Sequence, residues 1–217
     1  MTFREAIDSV LRRLREDTIG ADWAGGLNDA GEATDYQKLI GEFVNEAKRE
    51  VEDAWNWTAL RSVTTLATVD GTSEYTITGA SDRHRLINTY RQSDGGMLQS
   101  VDASWIKRRK LPTDEKGLPS YYSTTATKIQ LHPTPDSVES IDLYLVDPQD
   151  DLSSAATTIT VNANVVVLGA VAKAISERGE DGGTQLDIVN NNYANAVADL
   201  VAQDVARVSN ELEWQVA

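Results

Sequence analysis

The chain has 217 residues, 41% of them hydrophobic and 25% charged, a balance that excludes the disordered and fibrous classes and permits one sizeable core or a core with an inserted lobe. It contains no cysteine, which excludes disulfides, thiolate metal sites and cysteine nucleophiles. Its formal charge of −14 opposes a surface built to neutralise many DNA phosphates.

No apolar run approaches the roughly 20 residues needed to cross a bilayer, and MTFREAIDSV has neither a basic region nor an apolar leader, so a soluble, unexported chain without membrane partners is expected. In chain order, Thr2 to Leu14 places Phe3, Ile7, Val10, Leu11 and Leu14 at helical spacing, and Thr2 with Glu5 forms a capping-box pattern. DTIGADWAGGLNDAGEAT follows as a loop carrying one aromatic, Trp23.

A second helix is predicted from Thr34, with Gln37 completing its cap. Its apolar stripe runs through Tyr36, Leu39, Ile40, Phe43, Val44, Ala47, Val51, Ala54 and Trp55. Its other face, Glu42, Glu46, Lys48, Arg49, Glu50, Glu52 and Asp53, is expected to face water. Two tryptophans, Trp55 and Trp57, stand at the exit, the first expected to continue the buried stripe and the second to pack at a lobe junction or against a neighbouring subunit.

After Leu60 the period changes to two. Ser62–Val69 and Ser73–Thr78 are predicted strands joined as a hairpin through Asp70-Gly71, and further strands are predicted at Arg85–Tyr90, Ser120–Thr124, Lys128–Leu131 and Ile141–Val146. A short helix, DASWIKRRK, interrupts them. Helical patterning resumes at Val165–Ser176, which is apolar nearly all round and ends at Arg178-Gly179. Thr184 with Asp187 is read as the cap of a last helix, with Leu186, Val189, Tyr193, Ala196, Val197, Leu200, Val201, Val205 and Val208 on one stripe.

The expected fold class is α+β, an antiparallel α-helical bundle with an inserted antiparallel β lobe. The expected divisions are residues 1–58 and 150–209 as the two halves of the bundle, 59–149 as the lobe, and 210–217 as a docking tail.

Catalytic and cofactor signals are sparse. The two histidines, His84 and His132, share no metal-ligand spacing, and there is no P-loop, no GxGxxG after a strand and no GxSxG elbow, so no cofactor, metal or enzymatic activity is expected. The densest acidic cluster, Glu177, Glu180 and Asp181, reads as a solvated turn. Lys107, Arg108, Arg109 and Lys110 form the sharpest charge run and follow Trp105, and this segment is a candidate partner contact or a solvated helix face. Leu212 and Trp214 in the tail NELEWQVA are candidate docking anchors.

FREAIDSVLRRLRED, VNEAKREVEDAWNWTALR, DGTSEYTITG and VVLGAVAKAISERGEDGG, in that order, resemble the head-to-tail adaptor proteins of tailed bacteriophages, also called connector or head-completion proteins. The resemblance implies a virion neck protein assembled in the host cytoplasm. It implies a homo-oligomeric ring, typically of twelve copies, that joins the capsid portal protein to a tail, nozzle or tail-terminator protein. Genomic DNA would pass through its channel without specific binding. Twelve copies would bring about −168 formal charges together, so apolar and complementary contacts must offset the repulsion. A tail-completion or tail-terminator ring is the neighbouring expectation. Some relatives are credited with cell-wall glycan hydrolysis, but no motif here receives such residues.

Overall fold

The computed structural model describes residues 1–19, 23, 25–26, 33–111, 113–125, 127–179 and 184–207. By compactness the chain divides into two units, Met1–Ala59 with Asp150–Ala217, and Leu60–Gln149. The fold is α+β.

The first unit begins with α1 (Phe3–Arg13), where Thr2 and Glu5 form the full reciprocal cap. A distant segment pins its start, through Phe3 N–H to Thr157 O at 2.8 Å and Ile159 N–H to Met1 O at 3.1 Å. Phe3, Ala6, Ile7, Val10 and Leu11 are buried. Trp23 is buried too, its ring 6.3 Å from that of Phe3. α2 (Asp35–Ala54) opens on the Thr34–Gln37 capping box. α4 (Ala163–Arg178) closes on Gly179 at φ +60°, a left-handed cap that glycine adopts without strain. α5 runs Thr184–Arg207. Thr184 is itself helical rather than a capping residue outside the helix. α4 packs against α1, α2 and α5, and its burial nearly all round follows from that central place.

Gly169 permits this approach. A Cβ at that position would lie 2.9 Å from Tyr193 Cε2 and 3.0 Å from Ala47 Cβ. Alanine there gains about 1 kcal/mol of helix propensity but overpacks two neighbours. Gly169→Ala is expected to lose about 1 kcal/mol net and Gly169→Val about 3 kcal/mol, read as falling midpoints in chemical denaturation. A midpoint raised by Gly169→Ala would show that the helices can part at little cost.

Three expectations for these helices change. Trp55 is not on the buried stripe: α2 ends at Ala54, and Trp55 is an extended C-cap residue, half-buried, while Trp57 is 7% exposed. Lys48 and Glu52, expected on the wet face of α2, are fully buried as an ion pair, Nζ to Oε1 3.2 Å. Val205, expected on the buried stripe of α5, is 41% exposed, and Asp204 beside it is buried. Val208 lies outside the described residues.

The burial of Lys48 and Glu52 has a clear cause. Segment 150–152 lies along that face of α2 and is held residue by residue. Lys48 Nζ donates to Asp150 O at 3.0 Å, and Arg49 grips the Asp151 carboxylate with two bonds of 2.8 and 2.5 Å. Asn45 exchanges two bonds with the Leu152 backbone, at 3.0 and 2.8 Å. A buried charge is tolerated only when paired and hydrogen-bonded, and both conditions are met here.

The second unit contains β1 (Arg61–Ala67), β2 (Glu74–Thr76), β3 (Arg85–Arg91), β4 (Gln99–Ser100), α3 (Ala103–Lys110), β5 (Tyr121–Thr125), β6 (Lys128–His132) and β7 (Ser140–Val146). They form two sheets, ordered β1-β7-β3 and β2-β6-β5-β4. Ile77, Leu98, Tyr122, Ile129, Leu131, Ile141, Leu143 and Leu145 make one core with members from both sheets.

Two expectations for the lobe change. The lobe is not wholly antiparallel, because β4 pairs β5 in parallel. The predicted hairpin does not form either: β1 pairs β7 and β2 pairs β6. The Asp70-Gly71 turn is present, with Gly71 at φ +75° and Thr72 N–H bonded to Val69 O at 3.0 Å, but it passes the chain from one sheet to the other. Thr68 directs that exit, since its N–H donates to Glu139 O and its hydroxyl to Ser137 O, each within 2.9 Å.

Candidate functional site

The basic run lies on α3. Asp102 caps the helix, its Oδ1 accepting from Ser104 N–H at 2.8 Å, and that bonding together with the nearby Arg108 charge holds its carboxyl below the usual range. Ile106 is the buried anchor of the helix. The four cations fill its last turn, where the helix dipole favours positive charge.

Trp105 ties α3 to the sheet beside it. Its ring centroid lies 4.9 Å from that of Tyr121 and 5.7 Å edge-on from that of His132, and the Arg109 guanidinium sits 5.0 Å from the Trp105 ring. Arg109 is thus partly engaged by a cation–π contact, and Lys110 Nζ donates to Ser73 Oγ. Lys107 and Arg108 are exposed. Lys107 and Lys110 line a shallow groove with Ala103, Ser104, Gln130 and Leu111, and Leu111 is 75% exposed. Chemically this is a cationic lip beside an apolar side chain, suited to an acidic surface.

His132 supplies a titratable group under the stack. It is 3% exposed, and burial, then Lys110 and Arg109, pull its pKa below the ordinary 6.5, with Glu115 and Asp114 opposing. Its neutral form is favoured in the folded state. Stability from this group is therefore fully present above about pH 6.5 and is lost as pH falls through that value toward the folded pKa. The denaturation midpoint of the chain should decline between about pH 7.5 and 5.5, and His132→Phe should flatten the decline. An equal slope in both proteins would remove His132 as its cause.

The exit of α2 is the second organised place. Trp57 Nε1 donates to Val51 O at 2.6 Å, and Asp204 on α5 accepts from Thr58 N–H at 3.0 Å and from the Thr58 hydroxyl at 2.6 Å. Trp57, Thr160, Asn162, Leu200, Gln203 and Asp204 border a cavity of about 260 Å³. Sequence reasoning passed over Asp204. The signal was present, a lone carboxylate four residues after Leu200 on an otherwise apolar stripe. Lys173 bridges Glu50 and Glu46 at 2.7 and 3.4 Å, and Tyr193 donates to Glu50, its pKa raised first by burial and then by that carboxylate.

The structure places the sequence-predicted residues unevenly. Trp105, Lys107, Arg108, Arg109 and Lys110 fall together on α3, whereas Trp55 and Trp57 follow α2. Leu212 and Trp214 lie outside the described residues, as do Glu180 and Asp181, and Glu177 is exposed. Among the described residues no group of three or more His, Cys, Asp or Glu side chains could hold a metal ion, and no helix is long and apolar enough to cross a membrane.

A family model described as SU10 adaptor protein matches residues 1–215, and the chain belongs to that family of phage adaptors. No curated protein matches the chain.

Proposed function

We propose that the protein forms a ring in the virion neck, between the capsid portal protein and the tail, and continues the channel through which the genome passes. The observation that carries this reading is the family match along residues 1–215. Twelve copies is the expected number, with a tail, nozzle or tail-terminator protein on the far side. Trp55 and Trp57 are proposed as contacts at a subunit or lobe junction, the α3 run from Trp105 to Lys110 as a partner contact, and Leu212 with Trp214 as portal-docking anchors.

Acidity suits this role, because a surface with 34 acidic and 20 basic residues lets DNA slide past rather than adhere. Duplex binding by the purified chain at physiological salt should be undetectable. A shift at submicromolar protein, lost when Lys107 to Lys110 are neutralised, would favour a nucleic-acid role instead. Negative-stain images of the protein alone and mixed with its portal test the ring directly. Rings seated on portals are the expected result, and particles that never join portals would overturn it.

A further inference from the structure

The sheet β1-β7-β3 has two edges, and the chain treats them differently. Flanking β1, Thr68 N–H donates to Glu139 O and Asp147 N–H to Leu60 O, each at 2.8 Å, which sets the phase of the ladder. With Arg61 opposite Val146 and Ala67 opposite Ser140, the even residues Ser62, Thr64 and Leu66 exchange bonds with β7. The odd residues Arg61, Val63, Thr65 and Ala67 turn their N–H and C=O groups outward.

On β3 the phase is set by Gln92 N–H to Ser140 O at 2.8 Å, which turns Thr89 and Arg91 outward. There the chain covers its own edge: Leu98 N–H donates to Thr89 O and Arg91 N–H to Gly96 O, both at 2.9 Å. Among the described residues no backbone segment does the same for the odd residues of β1.

Edge strands are ordinarily protected by shortness, proline, lysine or a bulge. RSVTTLA has seven residues, no proline and no lysine, and the bulge of this sheet lies on β3 between Leu86 and Asn88. The outward face beside the edge carries an exposed apolar pair next to the polar contact of Thr65 with Asp142. Val63 is 54% exposed opposite Tyr144, itself 41% exposed and in edge-to-face contact with Tyr90 at 5.5 Å.

We infer that the outer edge of β1 is a strand-addition site and that its occupant is β1 of a second copy, running antiparallel. The strand is complementary to itself. Arg61 falls opposite the partner's Ala67 and Val63 opposite the partner's Thr65, so outward groups meet outward groups along all seven residues with no like charges facing. Each copy carries a formal charge of −14, yet β1 holds one charge and that one is positive, so two copies approach here with little local repulsion. The pair closes on a two-fold axis and joins the two three-stranded sheets into one of six strands, with both Val63–Tyr144 patches on the same face. This pairing does not rest on the neck-ring reading: neighbours in a closed ring meet head to tail, so a two-fold pair joins copies outside a ring.

Proline discriminates the two phases of β1. Thr65→Pro removes an N–H that β7 does not use, so the fold is retained while strand addition is blocked. Thr65→Ala controls for the lost bond from the Thr65 hydroxyl to Asp142 at 2.7 Å. In sedimentation of the full chain at about 50 µM, wild type and Thr65→Ala should pair, and Thr65→Pro should pair at least tenfold more weakly with the same melting temperature. Val63→Cys with Thr65→Cys, in a chain that has no other cysteine, should oxidise to a covalent dimer, because opposed hydrogen-bonded residues lie about 5.5 Å apart at Cα, within disulfide range. Should Thr65→Pro lower the melting temperature, the cysteine pair alone decides. Equal association of Thr65→Pro and Thr65→Ala, or a cysteine variant that stays monomeric on oxidation, overturns the pairing. Ring-sized particles indifferent to Thr65→Pro would overturn it while leaving the neck-ring reading intact. Capture of a strand from a different protein without self-association would also overturn it.

Discussion

Glu52→Ala should destabilise the protein by about 3–5 kcal/mol, the usual cost of stripping one partner from a buried ion pair. Lys48 and Glu52 are both fully buried, and the substitution leaves in the interior an ammonium that has lost its carboxylate and keeps its bond to the Asp150 carbonyl. The ammonium then loses its proton or draws in water, and either response costs stability. Lys48→Met together with Glu52→Leu should recover much of the loss, because no unpaired charge remains. Urea denaturation of the single and double variants measures the difference. A double variant as weak as Glu52→Ala would show that the pair acts through the Asp150 carbonyl more than through charge.

Trp57→Ala should cost about 3–5 kcal/mol, combining the loss of a large buried aromatic with that of its bond to the Val51 carbonyl. Trp55→Ala should cost no more than about 2 kcal/mol, because that ring is half-buried at a helix cap. The ranking is the test. Equal midpoint shifts for the two variants would mean that Trp55 is held more firmly than its exposure indicates.

The reversal at this tryptophan pair shows how a stripe misleads at its end. Periodicity carries Ala54 and Trp55 forward from Phe43, Ala47 and Val51, but burial along α2 stops at Glu52: Ala54, its last residue, is exposed, and Trp55 is already extended at φ −154° and ψ 164°. Lys48 and Glu52 show a second limit. Their four-residue spacing on a charged face reads as a solvated pair, and the segment that covers them lies 102 residues away for Lys48 and Asp150. Nothing between residues 45 and 52 encodes that cover. For the candidate contact helix, the cap at Asp102 and the basic last turn were legible, whereas the stack of Trp105 on Tyr121 and His132 was not, because β5 and β6 bring those rings from later in the chain.

What the sequence determined by itself is local: both capping boxes, the glycine stop after Arg178, the change of period after Leu60, and the α+β class that follows. Each depends on residues within about four positions of one another, where side-chain oxygens, left-handed glycine and apolar spacing act on a single turn or strand. Only the tertiary structure decided that β1 joins β7 rather than β2, that β4 runs parallel to β5, and that a lysine and a glutamate of α2 are interior. Neighbouring strands can satisfy each other's backbone in more than one pairing, so the choice among partners falls to the shared core in which Ile141, Leu143 and Leu145 of β7 meet Ile77, Leu98 and Ile129 from earlier in the chain.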